Sequence, residues 1–118
     1  MKKSFMLLFF LIGSYSYGQN CIANAGENME VCGGKKVSSN YRVFLDGSGS
    51  SVTAGSIEYV WESVGDAISV RNDDEVDPYF NYPRNLSEDT DYAFELTVTN
   101  GTCEDVDTVV VRVKANNI

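Results

Sequence analysis

Carboxylates are the side chains of this sequence best suited to chemistry, because the chain has 17 Asp and Glu residues and no histidine. The absence of histidine excludes Ser–His and Cys–His nucleophile pairs and most zinc sites. A pair of carboxylates could still act as general acid and base. Seven of the acidic residues form two polar runs of the kind found on solvated loops, so we expect no catalytic site. These runs are Asp73, Asp74, Glu75 and Asp77, followed by Glu88, Asp89 and Asp91.

Two further carboxylates, Asp46 and Asp105, could bind a divalent cation. Asp46 ends a predicted strand and Asp105 lies in the last predicted turn, and in a two-sheet fold these loops emerge at the same end, near Glu27. Calcium prefers such convergent carboxylates and loop carbonyls, with roughly six to eight oxygens in total. The sequence therefore predicts a calcium site at Asp46 and Asp105. In the alternative interpretation, Asp46 only accepts hydrogen bonds from the backbone of the turn at residues 47–49.

The elements that position these residues are short β-strands. Val43 and Leu45 share one face of a strand, and an Asp46-Gly47 turn with a run of Gly and Ser follows them. The same two-residue alternation resumes at Tyr59 and Trp61. The predicted strands cover residues 22–31, 41–45, 57–62, 67–71, 78–82, 92–99 and 108–114. About seven short strands separated by turns are typical of an all-β, immunoglobulin-like two-sheet sandwich.

Large aromatic side chains occupy the predicted inward faces of these strands. They are Tyr59, Trp61, Phe80, Tyr92 and Phe94. We interpret them as core residues, with Trp61 at the centre of the core. Tyr79 and Phe44 lie outside this set and could form a small binding patch.

The first 18 residues differ in character from the rest of the chain. Lys2 and Lys3 precede an unbroken apolar run at residues 5–12, and small residues end at Gly18, which is the order of a secretory signal peptide. We predict a signal peptide at residues 1–18 and a mature domain at residues 19–118. The apolar run is too short to span a membrane stably. Without Lys2 and Lys3 the formal charge changes from −8 to −10, which argues against binding of nucleic acid.

Five short segments, taken in order, carry a family resemblance. They are residues 23–26 (Ala-Asn-Ala-Gly), 43–50 (Val-Phe-Leu-Asp-Gly-Ser-Gly-Ser), 59–61 (Tyr-Val-Trp), 78–80 (Pro-Tyr-Phe) and 92–101 (Tyr-Ala-Phe-Glu-Leu-Thr-Val-Thr-Asn-Gly). Together they resemble the successive motifs of a PKD domain over essentially the whole mature chain. Trp61 is followed by Glu-Ser-Val-Gly-Asp where the family often has Phe-Gly-Asp-Gly, which is similar to divergent PKD-like modules of bacterial secreted proteins. The resemblance implies a non-catalytic extracellular module.

Three cysteines allow one disulfide and leave one cysteine over. PKD-like modules that resemble this chain often carry one cysteine where Cys103 stands and another where Cys32 stands, so the resemblance implies that pairing. The predicted topology favours Cys21 instead, because the first strand should start beside the last hairpin turn, at residues 100–102, and end at the opposite pole. We therefore predict a disulfide of Cys103 with Cys21 or Cys32.

The resemblance and the predicted signal peptide together imply a structural or adhesive module that is secreted or at the cell surface. Its expected partners are other extracellular domains, a surface protein or a polysaccharide. The alternative is a glycan- or protein-binding module, which calcium could stabilise. An exposed row of aromatic side chains would favour this alternative. No cofactor other than calcium is expected.

Overall fold

Residues 20–32, 42–66, 68–82 and 86–115 are described by the structure, a computed structural model. Their regular structure is eight strands and one short 3₁₀ turn: β1 (Cys21–Ile22), β2 (Met29–Val31), β3 (Arg42–Phe44), β4 (Ser51–Val52), β5 (Glu58–Ser63), the turn (Val64–Asp66), β6 (Tyr79–Asn81), β7 (Thr90–Thr99) and β8 (Glu104–Val113). The all-β prediction is confirmed. Residues 1–18 lie outside the described ranges, so the signal peptide stays a prediction. In the described ranges, no helix has the length and apolarity needed to cross a membrane.

The strands pair into one four-stranded sheet and two small sheets. The large sheet has the order β2-β8-β7-β5. Strand β7 is antiparallel to both of its neighbours, while β2 runs parallel to β8. Strands β3 and β6 pair antiparallel, and β1 pairs with β4. The β3–β6 pair packs against the large sheet, as expected for an immunoglobulin-like sandwich.

The core lies between the large sheet and the β3–β6 pair. Alternate residues of β7 and β8 point inward and are fully buried, including Phe94 and Val111. Phe80 of β6 meets them from the other layer, with its ring centroid 4.6 Å from that of Phe94. Burying a side chain of this size stabilises the fold by about 1.5–3 kcal/mol relative to leaving it exposed. The core therefore consists of the apolar side chains at every second position of these strands.

Trp61 of β5 belongs to this core, as predicted, and is 1% exposed. Its indole N–H donates a hydrogen bond to the carbonyl of Glu75 at 3.0 Å, and its backbone N–H donates to the carbonyl of Asp73. Gly47 packs so closely against the indole ring that a Cβ at this position would lie 3.0 Å from it. A side chain in the turn after β3 would therefore require the Trp61 ring or its neighbours to shift.

Some strand boundaries differ from the predicted ones. The segment 22–31 forms two short strands with different partners, since β1 pairs with β4 and β2 pairs with β8. Strand β4 arises within the Gly and Ser run that was expected to be a loop. The described part of residues 67–71 contains no strand, only a backbone bridge between Arg71 and Tyr79. Residues 41 and 67 lie outside the described ranges. Strands of two or three residues are too short to show an alternating apolar and polar pattern, so the sequence alone does not reveal them.

Candidate functional site

A disulfide joins Cys21 of β1 to Cys103, the residue before β8. The two Cα atoms are 5.7 Å apart, although the residues are separated by 82 positions in the sequence. Of the two predicted partners of Cys103, the structure uses Cys21. Cys32 is free and exposed.

The pairing of Cys103 with Cys32 that the resemblance implied is wrong, and the register of β2 explains why. Cys32 follows Val31, which lies opposite Val113 at the C-terminal end of β8. Cys103 precedes the other end of that strand. A strand rises about 3.3 Å per residue, so the length of β8 separates Cys32 from Cys103. This distance is far beyond the reach of a disulfide.

Asn100 shapes the turn that presents Cys103. Its side-chain oxygen accepts hydrogen bonds from the backbone N–H groups of Thr102 and Cys103, at 2.9 and 3.0 Å. Its side-chain amide donates to the carbonyl of Ala54 at 2.8 Å. Gly101 has a φ of 98°, a conformation that favours glycine. The predicted turn at residues 100–102 is confirmed, and it fixes Cys103 beside β1.

Two carboxylates on β8 hold the first segment of the chain against the large sheet. Asp105 accepts a hydrogen bond from the backbone N–H of Ala23 at 2.9 Å. Asp107 accepts one from the backbone N–H of Ala25 at 2.8 Å. Ala25 is 1% exposed, so its N–H would be buried without a partner if Asp107 were absent. These carboxylates therefore have a structural role.

The sequence-based prediction for Asp105 was wrong about its position, and Asp107 was not predicted as a site residue. Asp105 is not in the last turn, because β8 begins at Glu104 and Asp105 lies opposite Val98 within the β7–β8 ladder. Sequence reasoning did not include Asp107 among the site residues. The available signal was its register, because residues 105 and 107 continue the inward alternation that leads to Val109. A polar side chain on an inward face requires a hydrogen-bond partner.

The predicted calcium ligands are both engaged with backbone groups. Asp46 is exposed and accepts a hydrogen bond from the backbone N–H of Ser48 at 2.9 Å. The pKa of Asp46 is lowered mainly by a hydrogen bond from the Ser48 side chain and, to a smaller extent, by the one from the Ser48 backbone. Among the described residues, no three His, Cys, Asp or Glu side chains form a group that could hold a metal ion. The calcium site at Asp46 and Asp105 therefore stays a prediction from the sequence.

The outer surface of the β3–β6 pair carries aromatic and basic side chains. Phe44 lies opposite Tyr79, with ring centroids 5.4 Å apart, and is 54% exposed. The guanidinium carbon of Arg42 lies over the Tyr79 ring, 4.1 Å from its centroid. Arg71 forms a backbone bridge with Tyr79 at the edge of β6 that faces away from β3. Residues paired in this way have side chains on the same face, so the Arg71 side chain also belongs to this outer surface. We call Arg42, Phe44, Arg71 and Tyr79 the arginine–aromatic face. The sequence suggested the two aromatic residues as a patch but missed both arginines.

The outer surface of the large sheet has a different character. Val60, Thr97 and Val106 form one row across β5, β7 and β8, and each valine is 45% exposed. In the next row, Glu62 lies directly opposite Glu95. Like charges in this position on neighbouring strands are destabilising. We call these five residues the valine–glutamate face.

The strand pairing and its short motifs have counterparts among known proteins. The family model described as K319L-like, PKD domain matches residues 25–113. The chain belongs to the PKD-domain family. The solution structure of the PKD domain from KIAA 1837 protein resembles this PKD domain with a TM-score of 0.61 at 25% sequence identity, covering 87% of this chain and 95% of that chain. No curated protein matches this PKD domain significantly. PKD domains are non-catalytic modules and are typically extracellular.

Proposed function

We propose that residues 1–18 are a signal peptide and that residues 19–118 are exported as a non-catalytic structural or adhesive module. The N-terminal order of basic, apolar and small residues supports export. Membership of the PKD-domain family supports a non-catalytic role in an extracellular setting. The partners of such a module would be other extracellular domains, a surface protein or a polysaccharide.

The disulfide between Cys21 and Cys103 is the observation that carries this proposal. Disulfides form and persist in oxidising compartments and are rare in the cytosol. The residues it joins are 82 positions apart, so the bond closes residues 21–103 into one loop that β8 directly follows. It also fastens β1, a strand of only two residues, to the β7–β8 turn. A domain fastened in this way suits an environment outside the cell.

The carboxylates also support a structural role over a catalytic one. Asp105 and Asp107 accept hydrogen bonds from the backbone of the first segment. Asp91 accepts two hydrogen bonds from the Arg112 guanidinium, at 2.8 and 3.1 Å. With no histidine in the chain, the usual partner of a serine or cysteine nucleophile is missing as well.

A ligand-binding role is the second candidate, and the arginine–aromatic face favours it. Phe44 and Tyr79 are adjacent on an outer surface rather than in the core. Aromatic side chains on the outer surface of a sheet are suited to packing against a ligand, either a glycan or a protein. Calcium bound at Asp46 and Asp105 would stabilise such a module without taking part in chemistry.

Expression of the full chain in a bacterial host, followed by intact-mass measurement of the exported protein, tests the proposal. The expected mass is that of residues Gln19 to Ile118 less two hydrogen atoms for the disulfide. A Leu8→Arg variant interrupts the apolar run and is the matched control. It should stay unprocessed inside the cell, with the thiols of Cys21 and Cys103 open to alkylation. Met1 retained in exported material, or three free thiols in that material, would contradict the proposal.

A further inference from the structure

Two of the cationic residues in the described ranges form no ion pair with a residue of those ranges. The four cations there are Arg42, Arg71, Arg112 and Lys114. Arg112 and Lys114 each lie within 3.1 Å of a carboxylate oxygen. Arg42 and Arg71 form no ion pair with another described residue, although the domain is strongly acidic. Both belong to the arginine–aromatic face.

The arginine–aromatic face is also pre-organised. Strand pairing fixes the backbone on which Arg42, Phe44 and Tyr79 sit. The Arg42 guanidinium is held over the Tyr79 ring, so little side-chain entropy remains to be lost when it meets a carboxylate. Phe44 places a half-exposed apolar ring beside it. The face therefore offers one apolar contact flanked by arginines.

The valine–glutamate face shows the opposite imbalance. Glu62 and Glu95 are directly opposed, and neither forms an ion pair with another described residue. Val60 and Val106 lie in the adjacent row and are exposed. This face therefore offers apolar contacts flanked by carboxylates. Carboxylates are the counter-charge that Arg42 and Arg71 lack among the described residues.

The two faces lie on opposite sides of the sandwich, because each is the outer surface of one packed layer. We infer that the arginine–aromatic face of one copy docks on the valine–glutamate face of a second copy. Phe44 then covers the Val60–Val106 row, and the guanidinium groups separate Glu62 from Glu95. A second copy is favoured over a polyanion because its valine–glutamate face offers exposed apolar side chains for Phe44 as well as carboxylates for the arginines. Repulsion between whole domains is screened beyond about 8 Å at physiological ionic strength, while contact pairs are screened much less.

This contact joins two different surfaces, so it does not close into a pair. Each added copy leaves one free face of each kind, and the association continues as an open array. The inference rests on the proposed function and deepens it, since it names the partner of a structural module as another copy of the module.

Sedimentation velocity on the exported, processed protein, over a rising concentration series, tests the inference. The wild type should show a concentration-dependent increase in sedimentation coefficient. Arg42→Glu and Glu95→Arg should each weaken association at least about tenfold, because each places like charges across the contact. Glu88→Arg changes an exposed carboxylate outside both faces and should leave association unchanged. Thermal melts establish that every variant is folded.

Mixing the two face variants gives the decisive result. Arg42→Glu keeps an intact valine–glutamate face, and Glu95→Arg keeps an intact arginine–aromatic face. An equimolar mixture should therefore associate more strongly than either variant does alone. Phe44→Ser, which changes no charge, should weaken association, and no partner variant should rescue it.

Three results would overturn the inference. The first is a wild type that stays monomeric with its disulfide intact, which leaves the proposed function standing. The second is equal weakening by Glu88→Arg, which would show that the loss of association does not depend on the two faces. The third is a monomeric wild type that binds a glycan array and loses that binding in Arg42→Glu, which would assign the face to a glycan. Failure of the proposed function is distinguishable from all three, because the protein would then be unprocessed and its thiols reduced.

Discussion

Removal of the disulfide should destabilise the domain more than any exposed substitution. We consider the double variant Cys21→Ala/Cys103→Ala, since a single replacement would leave one thiol free to pair with Cys32. The sequence separation of 82 corresponds to a loop-closure contribution of about 4.5 kcal/mol at 25 °C in the chain-entropy model. Measured losses for native disulfides of small secreted domains are typically about 2–5 kcal/mol.

The structure places the expected loss near the upper part of that range. Without the disulfide, β1 would depend on its pairing with β4, on the hydrogen bond from Thr53 N–H to the Asn20 carbonyl at 3.0 Å, and on the carboxylate of Asp105. None of these constrains the unfolded chain, whereas the disulfide does. We expect the free energy of unfolding to fall by about 3–4.5 kcal/mol.

Urea denaturation followed by the fluorescence of Trp61, the chain's single tryptophan, measures this quantity. Cys32→Ala is the matched control, because Cys32 is free and exposed, and its free energy of unfolding should match the wild type. A loss below about 1 kcal/mol in the double variant would refute the loop-closure reasoning. A large loss in Cys32→Ala would instead show that Cys32 takes part in the fold.

Three further predictions concern the core, acid and calcium. Trp61→Ala should lower the free energy of unfolding by about 3–5 kcal/mol, because the indole is buried, and a melting temperature within a few degrees of wild type would contradict this placement. Hydrogen bonds from the Ala115 backbone and the Arg112 side chain lower the pKa of Asp89 and Asp91, respectively. A carboxyl group whose pKa is lower in the folded state stabilises the fold above about pH 4, and this stabilisation is lost as the pH falls. The free energy of unfolding of Asp91→Asn, measured by urea titrations between neutral and acidic pH, should therefore decrease less with falling pH than that of the wild type. If Asp46 and Asp105 bind calcium, the melting temperature should be higher in millimolar calcium than in chelator, and Asp46→Asn should abolish this difference. Equal wild-type melting temperatures in the two solutions would show that Asp46 is only a turn residue.

Local patterns in the sequence were sufficient for the fold class and for much of the core. A side chain on a strand points inward or outward according to its position in a two-residue period, so the inward positions of Trp61, Phe80 and Phe94 could be predicted without knowing their partners. The absence of histidine likewise limited the available chemistry directly. Turn chemistry at Asn100-Gly101 depends on neighbouring residues only, and the sequence located that turn correctly.

Only the tertiary structure decided which distant residues meet. The choice of Cys21 over Cys32 as the partner of Cys103 depends on the parallel register of β2 on β8, which places Cys32 at the far end of that strand. The roles of Asp105 and Asp107 depend on a segment 82 residues away. The arginine–aromatic and valine–glutamate faces arise from cross-strand pairing, because pairing determines which outward side chains become neighbours. Local alternation fixes the side of a strand on which a residue lies, but long-range pairing fixes the residue beside it.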